Sequence, residues 1–192
     1  MKSPLLLILT LLGSSFLSAQ IPVENASFEG EPQDATTPVR WHECEPDTTP
    51  DILPGFWGVT NEPSDGDTYM GLITRDIGSW ESVGQRLQEP IKKDICYNFS
   101  LELAHSNTYA SYNLPVKLMI WGAATRCSRD QLIGEVAYVD HSEWKKYKFQ
   151  FTAERNFPYV IIEARFMDGL SFPYKGNVLI DNCSAFEPCQ RA

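Results

Sequence analysis

Past its first twenty residues the chain has no apolar run long enough to cross a bilayer, which excludes a helical membrane anchor there. It has no C-x-x-C pair, so the usual zinc-knuckle spacing is missing. It also lacks a nucleophile elbow G-x-S-x-G, an H-E-x-x-H, a P-loop and a dinucleotide fingerprint. Histidine is scarce: His42, His105 and His141 are scattered, and their spacing assembles no triad, so they read as surface or turn residues. No segment sustains a 3.6-residue apolar period, which argues against amphipathic helices and against parallel α/β architecture. Positive charge is short as well, with 16 Lys and Arg against 25 Asp and Glu, a formal net charge of −9. An acidic domain repels phosphate backbones and anionic lipid, so nucleic acid is not expected as a partner.

The first twenty residues are the exception. Lys2, the run "LLLILTLLG" and the small-residue ending "SSFLSA" read as a secretory signal peptide, residues 1–20, cut after Ala19 or Gln20. Residues 21–192 then form one domain, a length sufficient for a single core. Export makes disulfides plausible, and five cysteines (Cys44, Cys96, Cys127, Cys183 and Cys189) leave at least one thiol over. Sequence does not fix the pairing. Cys96 is expected to join Cys183 or Cys189, because both regions read as strands.

Two-residue alternation dominates what remains. Tyr97, Phe99, Leu101 and Leu103 form one face of a strand, as do Val116, Leu118 and Ile120. Tyr147, Phe149 and Phe151 repeat the pattern, and so do Val160, Ile162, Ala164 and Phe166. Further strands are expected over 69–73, 82–88, 132–138 and 177–185. Gly, Pro and Asp clusters such as "EPSDGD" and "MDGLSFPYKGN" separate them. Many short strands with such turns predict an all-β, antiparallel sandwich of about eight to ten strands. The region 31–63 shows little alternation, holds six prolines and contains Trp41, Phe56 and Trp57. A loop region of that length, rich in aromatics, points to function.

Four stretches in order carry a resemblance: "NASFEG", "SDGDTYMGL", "ESVGQRLQEPIKKDICYNFSLELA" and "NVLIDNCSAF". Together they resemble the galactose-binding-like jelly-roll domains, especially the carbohydrate-binding modules of secreted cellulases and xylanases. The matching positions are Asn25, Phe28 and Glu29; Asp65, Gly66 and Tyr69; Gln85, Tyr97, Phe99 and Ser100; and Ile180, Asp181 and Asn182. The resemblance spans about Asn25 to Ala185. It implies a jelly roll whose first and last strands meet at a structural calcium. Glu29 and Asp181 would be its carboxylate ligands, with Asp65, Asp67 and carbonyls of the Asp65–Thr68 turn completing the shell. Calcium is a hard cation that takes six to eight oxygens, which suits such a set. The alternative for Asp181 is that it accepts backbone N–H bonds.

The same resemblance implies glycan binding. Sugar rings stack their C–H faces on aromatic side chains while amides, carboxylates and Arg bond the hydroxyls. Trp57 and Trp80 lie in or beside loops, "SNTYASYN" offers Tyr109 and Tyr112, and Trp121 is out of phase with the apolar face of its strand. Gln85 and Arg86 fall on a strand that lines the binding face in related modules. The candidate ligand-binding residues are therefore Trp57, Trp80, Gln85, Arg86, Tyr112 and Trp121, whereas Trp41 and Trp144 are expected to pack beneath loops. The leading expectation is a secreted, non-catalytic glycan-binding protein of the extracellular space or cell surface. One alternative is a structural or adhesive module that binds a protein of the bacterial cell envelope. A weaker one is a small secreted hydrolase, whose paired carboxylates would need proximity in space and no local motif.

Overall fold

The structure, a computed structural model, describes residues 20–190, so the expected signal peptide lies outside the described residues except for Gln20. Eleven strands and no helix occur among the described residues: β1 (His42–Glu43), β2 (Asp51–Leu53), β3 (Tyr69–Thr74), β4 (Ser82–Ile91), β5 (Cys96–Ala104), β6 (Leu114–Ala123), β7 (Gln131–Val139), β8 (Lys145–Thr152), β9 (Phe157–Arg165), β10 (Gly176–Asp181) and β11 (Glu187–Pro188). The eight long strands fall where the alternation predicts them. The three extra or short ones, β1, β2 and β11, have too few residues to show a period. Two of them lie inside the 31–63 loop region.

The strands form two antiparallel layers. In the front layer the order is β1-β4-β9-β6-β7. In the back layer it is β2-β3-β10-β5-β8, with β11 on the edge of β5. The layers join at one corner, because one edge of β10 is divided: its start runs parallel to β6 and its end pairs antiparallel with β5. This gives the all-β jelly-roll architecture that the alternation and the resemblance imply.

Side-chain alternation sorts residues between two apolar clusters. Met70, Leu72, Leu101, Leu118, Ile162, Val178 and Ile180 point between the layers and form the main core. Each such side chain removed from water contributes roughly 1.5–3 kcal/mol. Their neighbours on the opposite face of the back layer, Tyr69, Ile73 and Leu179, are buried too. They pack with Leu53, Val59 and Tyr109, and with the half-buried Phe56, Tyr112 and Trp144, in a second cluster under the loops. Trp41 is buried and Trp144 donates from Nε1 to the Glu62 carbonyl at 2.7 Å, so both pack as expected.

Two disulfides hold the long connections. Cys96–Cys189 fastens β11 to β5, one of the two pairings expected for Cys96, and Cys44–Cys127 ties the segment after β1 to the turn before β7. Cys183 is the free thiol, and burial pushes its pKa up. The last long strand is shorter than the expected 177–185. Asn182 takes a left-handed φ of 49°, which ends the ladder at Asp181.

Candidate functional site

Two polar residues interrupt the apolar run of β10, Asn177 and Asp181, both fully buried on its loop-covered face. Each anchors a different loop. Asn177 Oδ1 accepts from Ser106 N at 2.9 Å, and its Nδ2 donates to the carbonyls of Ser106 and Tyr112 at 2.8 and 2.6 Å. His105 adds ring contacts to the carbonyls of Asn177 and Asn113. Asp181 Oδ2 accepts from Ser64 N and Asp65 N at 2.8 and 2.9 Å, while Oδ1 accepts from Asn182 N at 2.7 Å. Burial raises the Asp181 pKa to about 6, against the pull of those three donors. Polar groups thus lie within the run because they replace water for loop backbones laid across the sheet.

Those loops build a cavity of about 280 Å³ against β2 and β3, lined by Ala35, Thr49, Asp51, Trp57, Ile73, Arg75, Tyr109 and Tyr112. Its rim is cross-tied: Ala110 N donates to the Trp57 carbonyl at 2.9 Å and Thr108 Oγ1 to the Gly58 carbonyl at 2.6 Å. Trp57 is 49% exposed and sits at a left-handed φ of 55°, a conformation bulky residues rarely adopt. The two loops over-determine that turn and keep the indole at the mouth.

The floor is polar and buried. Asp51 accepts from Ala35 N at 2.7 Å on one oxygen and from the Tyr109 hydroxyl on the other. Opposite Asp51 in the β2–β3 register is Gly71, and a Cβ there would lie 2.8 Å from both the Tyr109 hydroxyl and a Leu53 methyl. Glycine therefore leaves the space through which the phenol reaches the carboxylate. Burial raises the pKa of Asp51, opposed by the Tyr109 hydrogen bond, and pushes that of Tyr109 well above its ordinary value. Behind the wall Glu81 is fully buried and accepts from Thr49 N, Thr49 Oγ1 and Ile73 N, each at 3.0 Å, and from Arg75 Nη2 at 2.6 Å. It fixes Thr49 and Arg75 at the cavity. Sequence reading missed Asp51, Arg75 and Glu81, since no local pattern marks residues that meet only when the chain folds back on itself.

Of the six candidate ligand-binding residues, the cavity brings Trp57 and Tyr112 together. Trp80 and Trp121 lie on the outer face of the front layer, linked through one ion pair. The Arg165 guanidinium stacks 3.7 Å from the Trp80 ring centre and lies 3.7 Å from Glu163, which accepts from Trp121 Nε1 at 3.0 Å and from Arg129 Nε at 2.7 Å. Arg86 is exposed beside a wide hollow with Glu24, Arg40, Trp41 and His42. Gln85 is a correction to the sequence reading. It is 1% exposed, and its amide bonds Glu24 N and the Glu24 carbonyl at 2.8 and 2.7 Å, so it pins the N-terminal segment and is closed off from solvent.

The four residues assigned to calcium do gather around one turn, but the arrangement does not fit the cation as implied. Asp181 and Glu29 both face N–H groups of that turn: Ser64 and Asp65 donate to Asp181, and Asp67 donates to Glu29 at 3.1 Å. Asp65 accepts from Ser27 Oγ at 2.6 Å, and Asp67 is exposed. Calcium takes six to eight oxygens, whereas here turn N–H groups occupy the carboxylates of Asp181 and Glu29. No three of these carboxylates converge on one point among the described residues.

No family model matches the chain, and no curated protein matches it in sequence. Solved structures do resemble it in fold. A Stig cyclase, Fisc, from Fischerella sp. TAU is 14% identical with a TM-score of 0.57, over 89% of this chain and 98% of that one. The CBM22-1 xylan-binding domain of Paenibacillus barcinonensis Xyn10C is also 14% identical, with a TM-score of 0.55 over 87% of this chain and 94% of that one. An arabinose-bound GH51 α-L-arabinofuranosidase, MgGH51, reaches a TM-score of 0.60 at 12% identity, over 92% of this chain but 27% of its own length. At these identities the likeness establishes the jelly-roll fold of carbohydrate-binding modules.

Proposed function

We propose that the protein is a secreted, non-catalytic glycan-binding module whose ligand enters the cavity between Trp57 and Tyr112. One observation carries the reading: an open cavity of about 280 Å³, the scale of a sugar residue, with aromatic rings at its mouth and Asp51, Thr49 and Arg75 below. Trp57 and Tyr112 supply stacking surfaces for a pyranose face, and the polar floor bonds its hydroxyls. The xylan-binding neighbour supports the class of ligand, and the two disulfides suit an oxidising, extracellular location. Trp80 and Trp121, held together by Arg165 and Glu163, offer an additional aromatic surface for a longer chain. A protein partner in the cell envelope gains no support from the neighbours.

The test is a glycan and polysaccharide array followed by calorimetry. Trp57→Ala and Tyr112→Ala are each expected to weaken binding of a hit tenfold or more with the far-UV spectrum unchanged. Binding indifferent to both substitutions removes the cavity as the site, and a blank array from folded protein removes the glycan reading.

A second reading rests on Asp51. A carboxyl whose pKa is raised by burial, touching a tyrosine hydroxyl at the base of a cavity, suits general acid catalysis. Turnover of any array hit that Asp51→Asn abolishes while binding persists would favour it over simple binding.

A further inference from the structure

On the outer side of β1, away from the loop-bound cavity, three soft donors come together: His42, Cys44 and Cys127. One ring nitrogen of His42 and the two Sγ atoms all lie within 4.8 Å of one another, and all three residues are half-buried. The cysteines are joined as a disulfide across 83 residues of sequence. The geometry points to a latent metal site: reduction of Cys44–Cys127 opens a Cys2His centre for a zinc-class divalent ion. Nothing in the glycan-binding reading uses these residues.

The surroundings fit this assignment. The cluster rests on Gly84, where a Cβ would lie 2.9 Å from both Cys44 Sγ and His42 Nε2, so glycine leaves room for these two donors. β1 pairs with β4 in the register His42↔Gly84, which holds the imidazole over that gap. Tyr159 meets the His42 ring edge-on at 6.2 Å. Two backbone carbonyls close the site: that of Arg126 lies 3.1 Å from His42 Nε2 and 3.4 Å from Cys44 Sγ, and that of Glu43 lies 3.6 Å from Cys127 Sγ. Two thiolates and an imidazole suit zinc, which takes four ligands in a tetrahedron, leaving one position for a carbonyl or water. The other disulfide, Cys96–Cys189, has no imidazole beside it among the described residues, and its neighbour is the Gln150 amide.

The chemistry balances. A small dithiol reductant supplies two electrons and two protons to the Sγ–Sγ bond, yielding two thiols and becoming a disulfide itself. Binding the metal releases both thiol protons to solvent, and the His42 ring proton moves from Nε2 to Nδ1 so that Nε2 ligates. The metal then replaces the covalent bond as the tie between β1 and the 124–130 turn, so the fastening survives in reducing surroundings.

Cobalt titration of the full mature chain tests this, followed by near-UV dichroism and by thiolate-to-cobalt charge-transfer absorption. In the reduced protein one equivalent of Co2+ is expected to bind with that absorption, and in the oxidised protein none. His42→Ala should weaken binding tenfold or more, Cys44→Ala/Cys127→Ala should abolish it, and Cys96→Ala/Cys189→Ala should leave it intact. Zinc should displace the cobalt and raise the melting temperature of the reduced chain. Absence of the charge-transfer band from folded reduced protein overturns the assignment. Affinity unaltered by His42→Ala, or loss of the native dichroism on reduction regardless of metal, does so equally.

Discussion

The outer faces of the two layers both bury a carboxylate completely, yet they use it in opposite ways. On the front layer Glu163 is bonded to side chains, Trp121 and Arg129, with Arg165 close by, so its charge is matched by cations on the same surface. On the back layer Asp181 is bonded only to backbone N–H groups, those of Ser64, Asp65 and Asn182. The first arrangement fills its face with side chains that satisfy one another. The second ties a loop down onto the sheet, as Asn177 ties the other, and residues of those two loops line the cavity. A carboxylate that bonds backbone positions loops; one that bonds side chains orders a surface.

The largest expected effect breaks this comparison directly. Asp181→Ala leaves three backbone donors without a partner, at about 1–3 kcal/mol each. A total loss of about 4 kcal/mol corresponds to a melting temperature lower by roughly 10 °C for a domain of this size. Glu163→Gln keeps an acceptor for Trp121 and leaves Arg129, still bonded to Glu45, partly exposed. Its expected cost is smaller, about 1–2 kcal/mol, because solvent reaches the guanidinium. Chemical denaturation of both variants measures the ranking, and a larger loss from Glu163→Gln would reverse the roles given to the two faces.

A smaller effect is read in pH. Asp181 has a folded pKa of about 6, raised from 3.8 chiefly by burial. Because the folded value is the higher one, the native state holds the proton more tightly than the unfolded chain. The resulting stabilisation is complete below about pH 4 and disappears as pH rises through about 6, a change on the order of 2–3 kcal/mol. Asp181→Asn removes the titration. The stability difference between wild type and this variant should therefore shift in favour of wild type on going from pH 7.5 to pH 4.5, as urea melts at the two values would record. A difference that is flat with pH would mean that the three N–H donors outweigh the burial.

Most of the fold was legible in the sequence because it is written in nearest-neighbour alternation. Val116, Leu118 and Ile120, or Val160, Ile162 and Ala164, announce both a strand and its inward face. What alternation does not report is the partner of each outward residue. Tyr69 and Ile73 are as apolar as the core residues between them, yet they belong to a second cluster that exists only because two loops fold over the sheet. The site shows the same division. Trp57 and Tyr112 were recognisable as aromatics in loops. Asp51 became visible only when β2 paired with β3 and put Gly71 opposite it, and Gln85, which the resemblance placed at the ligand, is consumed by the Glu24 backbone.

The smallest expected effect bears on the seam between the first and last strands. The resemblance puts a cation there, whereas the structure gives Glu29 and Asp181 the N–H groups of one turn. Those donors bond the buried carboxylate and offset part of its burial, so the turn closes without a metal. Thermal melts with millimolar calcium and with chelator are therefore expected to coincide within about 1 °C. Were calcium instead to raise the transition, with the rise lost in Asp181→Ala, the turn would have to rotate its carbonyls inward on binding. Asp181 would then serve on the back layer as Glu163 does on the front, a carboxylate matched by a cation, and the contrast between the faces would depend on the metal.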